Sequence, residues 1–100
     1  MILELNVVDA KKLILQNESR KDFVILDVRT PSEFEEEHIP MAVNIDFYQD
    51  DFVERIRKLD RKKMYLVHCH SGRRSAQATK IMDKLGFMRV WNVRGLLFGR

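Results

Sequence analysis

The run FVILDV at residues 23–28 sets the terms for how this chain can fold, because five of its six side chains are apolar and only Asp27 interrupts them. A strand with one wet face alternates apolar and polar residues, so a short unbroken apolar run belongs to a strand covered on both faces. The run MYLV at residues 64–67 has the same character. Covering such strands takes helices above and below the sheet, and the intervening segments carry helical patterns.

Residues 2–5 read as a first strand, after which Asn6 caps a helix whose apolar face is Val7, Ala10, Leu13 and Ile14. Beyond FVILDV, Thr30 as N-cap, Pro31 at the first helical position and Glu33 closing a capping box predict a short helix to about Glu37. AVNI at residues 42–45 reads as a third short strand. Phe52, Ile56 and Leu59 then fall at helical spacing, with Asp50 and Asp51 before them and Arg57 and Lys58 near the end, as the helix dipole favours. MYLV is the fourth strand. Ala78, Ile81, Met82 and Leu85 mark the next helix, Gly86 ends it, and residues 87–93 supply the last strand. This alternation predicts a layered α/β fold with a largely parallel sheet. Ligands of such sheets sit beyond the carboxyl ends of the strands, where residues 27–29 and 68–74 both fall.

A chain of 100 residues is expected to form one domain with one modest core. Glu4, Asn6, Asp9, Lys11 and Lys12 interrupt the apolar N-terminal segment before a signal-peptide core or membrane span can form, so a cytoplasmic protein without a membrane partner is expected. Eighteen basic and 15 acidic residues give a net charge of +3, which admits anionic substrates. Basic residues are not interleaved with aromatics in a stripe, and no nucleic-acid partner is expected.

Cys69 is the only cysteine, so it cannot form an internal disulfide, and an oxidised or sulfur-loaded Cys69 would be resolved by a thiol from outside the chain. It lies in MYLVHCHSGRRSAQA, at a strand-to-helix turn. With a helix beginning at Ser75, the segment HSGRR must bend tightly, and Gly72 permits the positive φ such a bend uses. Backbone N–H groups of the turn and the helix N-terminus would form an anion nest around the sulfur, to which Arg73 and Arg74 add positive charge. A thiol there ionises more readily than free cysteine, whose pKa is about 8.5; sites of this type run from roughly 3.5 to 7.5. A small buried hydrophobe is the structural alternative for Cys69, and the glycine turn, two arginines and following helix argue against it.

His68 should point to the opposite face of its strand from Cys69 and serve packing or hydrogen bonding. His70, beside the thiol, can tune charge near neutral pH and is a candidate base. His38 is expected to fix the turn at Ile39 and Pro40. The spacing of His68, Cys69 and His70 matches no zinc pattern, and neither metal nor cofactor is expected.

HCHSGRRS resembles the active-site loop of rhodanese-type sulfurtransferases, in which Ser-Gly occupies the second and third positions after cysteine and arginine the fifth: here Cys69, Ser71, Gly72 and Arg74. LDVRTPSEFEEEHIPMAVNI is similar to the family's Asp-Val-Arg, Glu-Phe and His-Ile-Pro signatures, at Asp27, Val28, Arg29, Glu33, Phe34, His38, Ile39 and Pro40. VWNVRGL resembles the closing segment, so the likeness spans roughly residues 3–97. It implies a three-layer α/β/α fold with a central, mainly parallel five-stranded sheet, and a single domain over residues 1–100. The chain departs from the family pattern where Glu37 and Met41 replace flanking glycines, Leu96 replaces the second glycine of a terminal pair, Phe98 stands for a tryptophan and His70 for an arginine.

The resemblance implies a sulfur-transfer cycle in which the Cys69 thiolate takes a sulfane sulfur from a small sulfur-containing anion, such as thiosulfate or a polysulfide. The resulting persulfide, held by N–H groups of residues 70–74, passes its outer sulfur to cyanide, a thiol or a thiol-bearing protein. Cys69 and Arg74 are the candidate catalytic residues. His70, Ser71, Gly72, Arg73 and Ser75 form the binding loop, with Arg73 facing outward to attract the donor. Asp27 and Arg29 are supporting residues, either bracing the loop by an ion pair or serving the fold alone. Two other readings stand beside this one. Cysteine-dependent phosphatases place arginine at the sixth position, which is Ser75 here, and a sulfur-carrier or interaction module would keep the loop with little free turnover.

Overall fold

A computed structural model describes residues 2–98. Its elements run β1 (Ile2–Asn6), α1 (Val7–Asn17), β2 (Phe23–Asp27), α2 (Pro31–Glu36), β3 (Val43–Asn44), α3 (Phe52–Arg57), β4 (Met64–His68), α4 (Arg73–Lys84) and β5 (Arg89–Arg94). All five strands are parallel, in the order β1-β5-β4-β2-β3.

Every residue of β4 is buried. Tyr65, Val67 and Cys69 join Phe52 and Ile56 of α3 and Ala78 and Met82 of α4 in one apolar cluster. Leu66 faces the other way, with Ile25 of β2, Val93 of β5 and Ala10 of α1. Helices therefore cover both faces, giving the three-layer arrangement that the apolar runs demanded.

Local chemistry sets the element ends. The Asp9 N–H donates to Asn6 Oδ1 at 2.8 Å and opens α1. At α2 the capping box is complete: Glu33 N–H donates to Thr30 Oγ1 at 3.2 Å, and Thr30 N–H to Glu33 Oε1 at 3.0 Å. Gly86, at φ +90°, closes α4, with Phe87 N–H reaching the Met82 carbonyl at 3.0 Å and Gly86 N–H the Asp83 carbonyl at 3.1 Å.

Several boundaries differ from the sequence reading: β5 spans Arg89–Arg94 instead of residues 87–93, because Phe87 N–H is taken up in closing α4, and two further shifts bear on the site. The third strand is two residues long, although Ile45 N–H and Phe47 N–H continue onto the Asp27 and Val28 carbonyls at 3.0 and 3.2 Å. Helix α4 begins at Arg73, two residues before Ser75, because Gly72 completes the turn in the left-handed region at φ +95° and leaves both arginines free to be helical.

Topology then makes the crevice. From β2 the chain moves outward through α2 to β3, whereas from β4 it moves in the opposite direction through α4 to β5. Strands β2 and β4 are neighbours, with Asp27 paired to His68. Connections that part from adjacent strands leave an opening at their carboxyl ends, and Cys69 is the residue after β4.

Candidate active site

Cys69 is fully buried at the foot of the loop leading to α4. Gly72 N–H donates to its Sγ at 3.1 Å and Ser75 N–H at 3.4 Å, while Ser75 Oγ lies 3.4 Å away on the same sulfur. Burial by itself pushes the thiol pKa up. The Ser75 hydroxyl and the amides of Ser75, Gly72 and Arg74 outweigh it, so the net shift is downward from 9.0. The twelve-residue α4 directs its N-terminus at the same sulfur.

Gly72 serves two ends here. Its φ of +95° is a conformation that side chains oppose, and a Cβ at this position would meet Arg94 Cα and the Val93 carbonyl oxygen, each at 3.3 Å. The loop is thus pressed against the end of β5.

Arg74 leaves the loop toward α2. Its Nη1 donates to Glu33 Oε1 at 2.8 Å and its Nη2 to Glu33 Oε2 at 3.1 Å, a two-pronged contact, and its guanidinium stands 5.5 Å above the Tyr48 ring. The Arg74 hydrogen bond is the main cause that lowers the Glu33 pKa from 4.5 to about 2. The same bond raises that of Arg74, with a smaller contribution from Cys69. Glu33 thus has two tasks, capping α2 and holding Arg74, of which the sequence pattern exposed the first. No motif in the sequence marks Tyr48, which reaches the site only through the fold.

Arg73, Ser71 and His70 are exposed around the loop. Ser75 is buried and belongs to the sulfur's immediate surroundings. The amides at Sγ, those of Gly72, Arg74 and Ser75, overlap the set at residues 70–74 expected around an outer sulfur and extend it by one residue.

Asp27 and Arg29 do form a buried ion pair. Arg29 Nη2 donates to Asp27 Oδ2 at 2.7 Å, Nε to Oδ1 at 3.0 Å, and the Arg29 backbone N–H to Oδ1 at 3.0 Å. Arg29 Nη2 also reaches the Glu37 carbonyl at 2.6 Å, and its guanidinium lies 4.6 Å above Phe98. His68 is on the face away from Cys69, as the strand period requires; its ring meets Phe98 edge-on at 6.0 Å. His68 Nε2 is 3.6 Å from Asp27 Oδ2, and among the described residues neither ring nitrogen has a hydrogen-bond partner. His38 stacks on Phe34 at 3.8 Å and donates from Nδ1 to the Phe34 carbonyl at 2.7 Å, tying the turn to α2. That turn closes with Ala42 N–H on the Ile39 carbonyl at 3.0 Å and places Met41 at φ +72°.

A cleft of ≈ 440 Å³ opens beside the loop, bordered by His70, by carboxylates of α2 and its C-terminal end, and by Arg29, Leu96 and Phe98. Among the described residues no helix is long and apolar enough to cross a membrane.

The rhodanese-like domain family matches residues 9–97. The thiosulfate sulfurtransferase PspE of Escherichia coli (strain K12) is 36% identical over 73 residues, covering 71% of this chain and 68% of that protein. A Bacillus subtilis (strain 168) protein provisionally named the sulfur carrier YrkF is 40% identical over 76 residues, 76% of this chain and 40% of that protein; the chain spans less than half its length. In three dimensions, a rhodanese-related protein from Thermoplasma volcanium is similar with a TM-score of 0.76 and 30% identity, over 95% of this chain and 86% of that one. The motifs around Cys69, the parallel five-stranded sheet and the match across residues 9–97 place the chain in the rhodanese-like domain family.

Proposed function

We propose that this protein is a sulfurtransferase that carries a sulfane sulfur as a Cys69 persulfide. The observation that carries the reading is the environment of Cys69 Sγ, met by Gly72 N–H at 3.1 Å and Ser75 N–H at 3.4 Å at the start of α4. Donors aimed at a buried sulfur stabilise a thiolate, and a thiolate is the nucleophile sulfur transfer needs.

In the first half-reaction the Cys69 thiolate attacks the outer sulfur of thiosulfate, a polysulfide or a persulfide. A sulfur–sulfur bond forms to Sγ, and the bond within the donor breaks with its electron pair leaving on sulfite or the shortened thiol. In the second, a thiol in the cell or cyanide in an assay takes the outer sulfur and returns the Cys69 thiolate. Gly72, Ser75 and the α4 N-terminus stabilise the anionic sulfur. Arg74, clasped by Glu33, fixes the loop and contributes positive charge. Arg73, exposed on the first turn of α4, attracts the anionic donor. His70 and Ser71 form the outer lip, and the Asp27–Arg29 pair holds the end of β2 beneath it. A lone cysteine working as a thiolate suits a reducing compartment, and we read the protein as cytoplasmic.

The test is the intact mass of the reduced protein after brief thiosulfate or polysulfide treatment. Gain of one sulfur atom, absent in Cys69→Ser and released as thiocyanate by cyanide, supports the cycle; no gain from either donor overturns it. A second reading, a carrier that turns over slowly with free donors, draws on the complete burial of Cys69 and on the name of the Bacillus relative. It predicts loading with slow discharge to small thiols. The three residues between Cys69 and α4 make a small cradle, which favours sulfur over a tetrahedral phosphate.

A further inference from the structure

We infer that the sulfur acceptor is a thiol-bearing protein segment with basic and apolar residues around its thiol, docking in the cleft beside His70. This rests on the sulfur-transfer reading of Cys69 and adds the chemistry of the partner.

The cleft, of ≈ 440 Å³, is lined by Glu33, Glu36, Glu37, His70, Leu96 and Phe98, with Arg29 also at its border. His70 follows the nucleophile directly, so an occupant of the cleft lies against the loop. The charges around it are unequal in availability. Glu33 is neutralised by Arg74 at 2.8 Å, and Arg29 by Asp27 at 2.7 Å. Glu36 and Glu37 are exposed, and among the described residues neither carboxylate has an ion-pair partner. Among the described residues, two negative charges without an ion-pair partner thus stand at the mouth of the reactive loop in a chain whose total charge is +3. Such a rim repels anions and draws cations, so it does not serve the anionic donor, which has the exposed Arg73 on α4 to meet it. It suits the other substrate.

The size of the partner follows from what borders the cleft. Leu96 and Phe98 flank Leu97, which lines a neighbouring apolar groove of ≈ 240 Å³ with Lys11, Ile14, Leu15 and Ile39. The same two segments of chain, residues 36–40 and 96–98, therefore wall both the acidic cleft and an apolar strip. A small cationic thiol fills the first and leaves the second open to water. A protein segment with an apolar side chain beside its basic residues covers both.

The transfer itself balances. The acceptor loses its proton to solvent, its thiolate attacks the outer sulfur of the Cys69 persulfide, a new sulfur–sulfur bond forms on the acceptor, and the bond to Sγ breaks with its electron pair returning to Cys69.

To test this, Cys69 is loaded with polysulfide and its discharge followed by intact mass against three cysteine peptides of equal length. In one the cysteine is flanked by Lys, Arg and Leu, in the second by Glu and Leu, and in the third by Lys and Arg with Ser in place of Leu. The first peptide is expected to discharge the protein on the order of tenfold faster than the second at low salt. The third is expected to fall between them. In the Glu36→Lys, Glu37→Lys double variant the preference for the basic peptide should vanish, while discharge by cyanide, whose attacking form is an anion, should be no slower than in the wild type. Equal rates for the first two peptides, or a preference that survives in the double variant, overturns the inference. Equal rates for the first and third overturns the protein-segment part and assigns the cleft to a small cationic thiol. Failure of Cys69 to load at all overturns the proposed function and this inference with it, whereas loading without preference overturns this one alone.

Discussion

Glu33 and Arg74 lie 41 residues apart in the chain and face each other through two hydrogen bonds, at 2.8 and 3.1 Å. Because Glu33 also closes the α2 capping box, Glu33→Gln separates its two tasks: glutamine keeps the box but gives up the charge. The variant should lose about 1 kcal/mol of stability at neutral pH, since the pair is partly solvated. The wild-type acid limb carries a second signature. With a folded pKa of about 2 against an ordinary 4.5, the Glu33 contribution is fully present above 4.5 and is lost as pH falls through 2. Chemical denaturation across that window should show a shallower acid loss in Glu33→Gln, and sulfur loading should slow because Arg74 is released.

Ser75→Ala removes one hydroxyl from the Cys69 sulfur without opening a large cavity and in a helix that tolerates alanine. Two opposed effects set this thiol, burial raising its pKa and hydrogen bonds lowering it, so losing a donor shifts it upward. Alkylation of Cys69 at neutral pH should slow roughly fivefold, as expected for one hydrogen bond worth about 1 kcal/mol. The pH midpoint of the thiolate ultraviolet absorbance should rise, and an unchanged midpoint would remove Ser75 from the account of Cys69.

Gly72→Ala sets a Cβ 3.3 Å from the backbone of β5 in a left-handed conformation. The expected cost is about 2 kcal/mol, or a fall of about 10 °C in Tm for a domain of this size. Loading of Cys69 should fall further than stability alone explains, because the Gly72 amide that faces Sγ moves with the strain.

At Met41 the expected sign is reversed. This residue holds φ +72° at the third position of the turn closed by Ala42 and Ile39, where a type II turn favours glycine. Met41→Gly relieves the strain at some cost in unfolded-chain entropy, for a net gain of about 0.5 to 1 kcal/mol and a Tm higher by several degrees. Calorimetry of the two proteins decides the sign.

His68 gives a different pH dependence. Burial, opposed in part by Asp27, lowers its pKa from the ordinary 6.5. Below about 6.5 the unfolded chain takes up a proton that the folded imidazole refuses, so stability falls as pH drops below that value. His68→Leu puts an apolar side chain where both nitrogens lack partners and should be neutral or stabilising at pH about 7. The slope of stability against pH between about 5.5 and 7 should flatten in this variant; an unaltered slope would assign the acid sensitivity elsewhere.

Much of this architecture was legible in short stretches of sequence. Unbroken apolar runs marked β2 and β4, the Thr30-Pro31-Glu33 pattern marked α2, and the strand period put His68 and Cys69 on opposite faces. These signals are local, and each depends on residues within a few positions. The Glu33–Arg74 clasp and the Tyr48 ring over Arg74 depend on how α2, the segment after β3 and α4 converge, which no spacing encodes. The sequence pattern puts the start of α4 two residues late, because glycine marks a bend without fixing where the next helix begins. The Asp27–Arg29 pair was visible as a motif, yet its burial and its link to the Glu37 carbonyl came only with the fold.

The two rims of the sheet are unequal: β3 offers two residues and β1 offers five. A strand of two residues is too short a template for another chain's backbone, so aggregation by strand addition has no foothold beside β2 and the crevice. Among the described residues the opposite rim, β1 with Glu4 along its length, is the edge long enough to accept a further strand. Any fibre or swapped dimer grown from this sheet therefore adds along β1, which β5 separates from β4, and leaves the rim beside β2 and the crevice unextended.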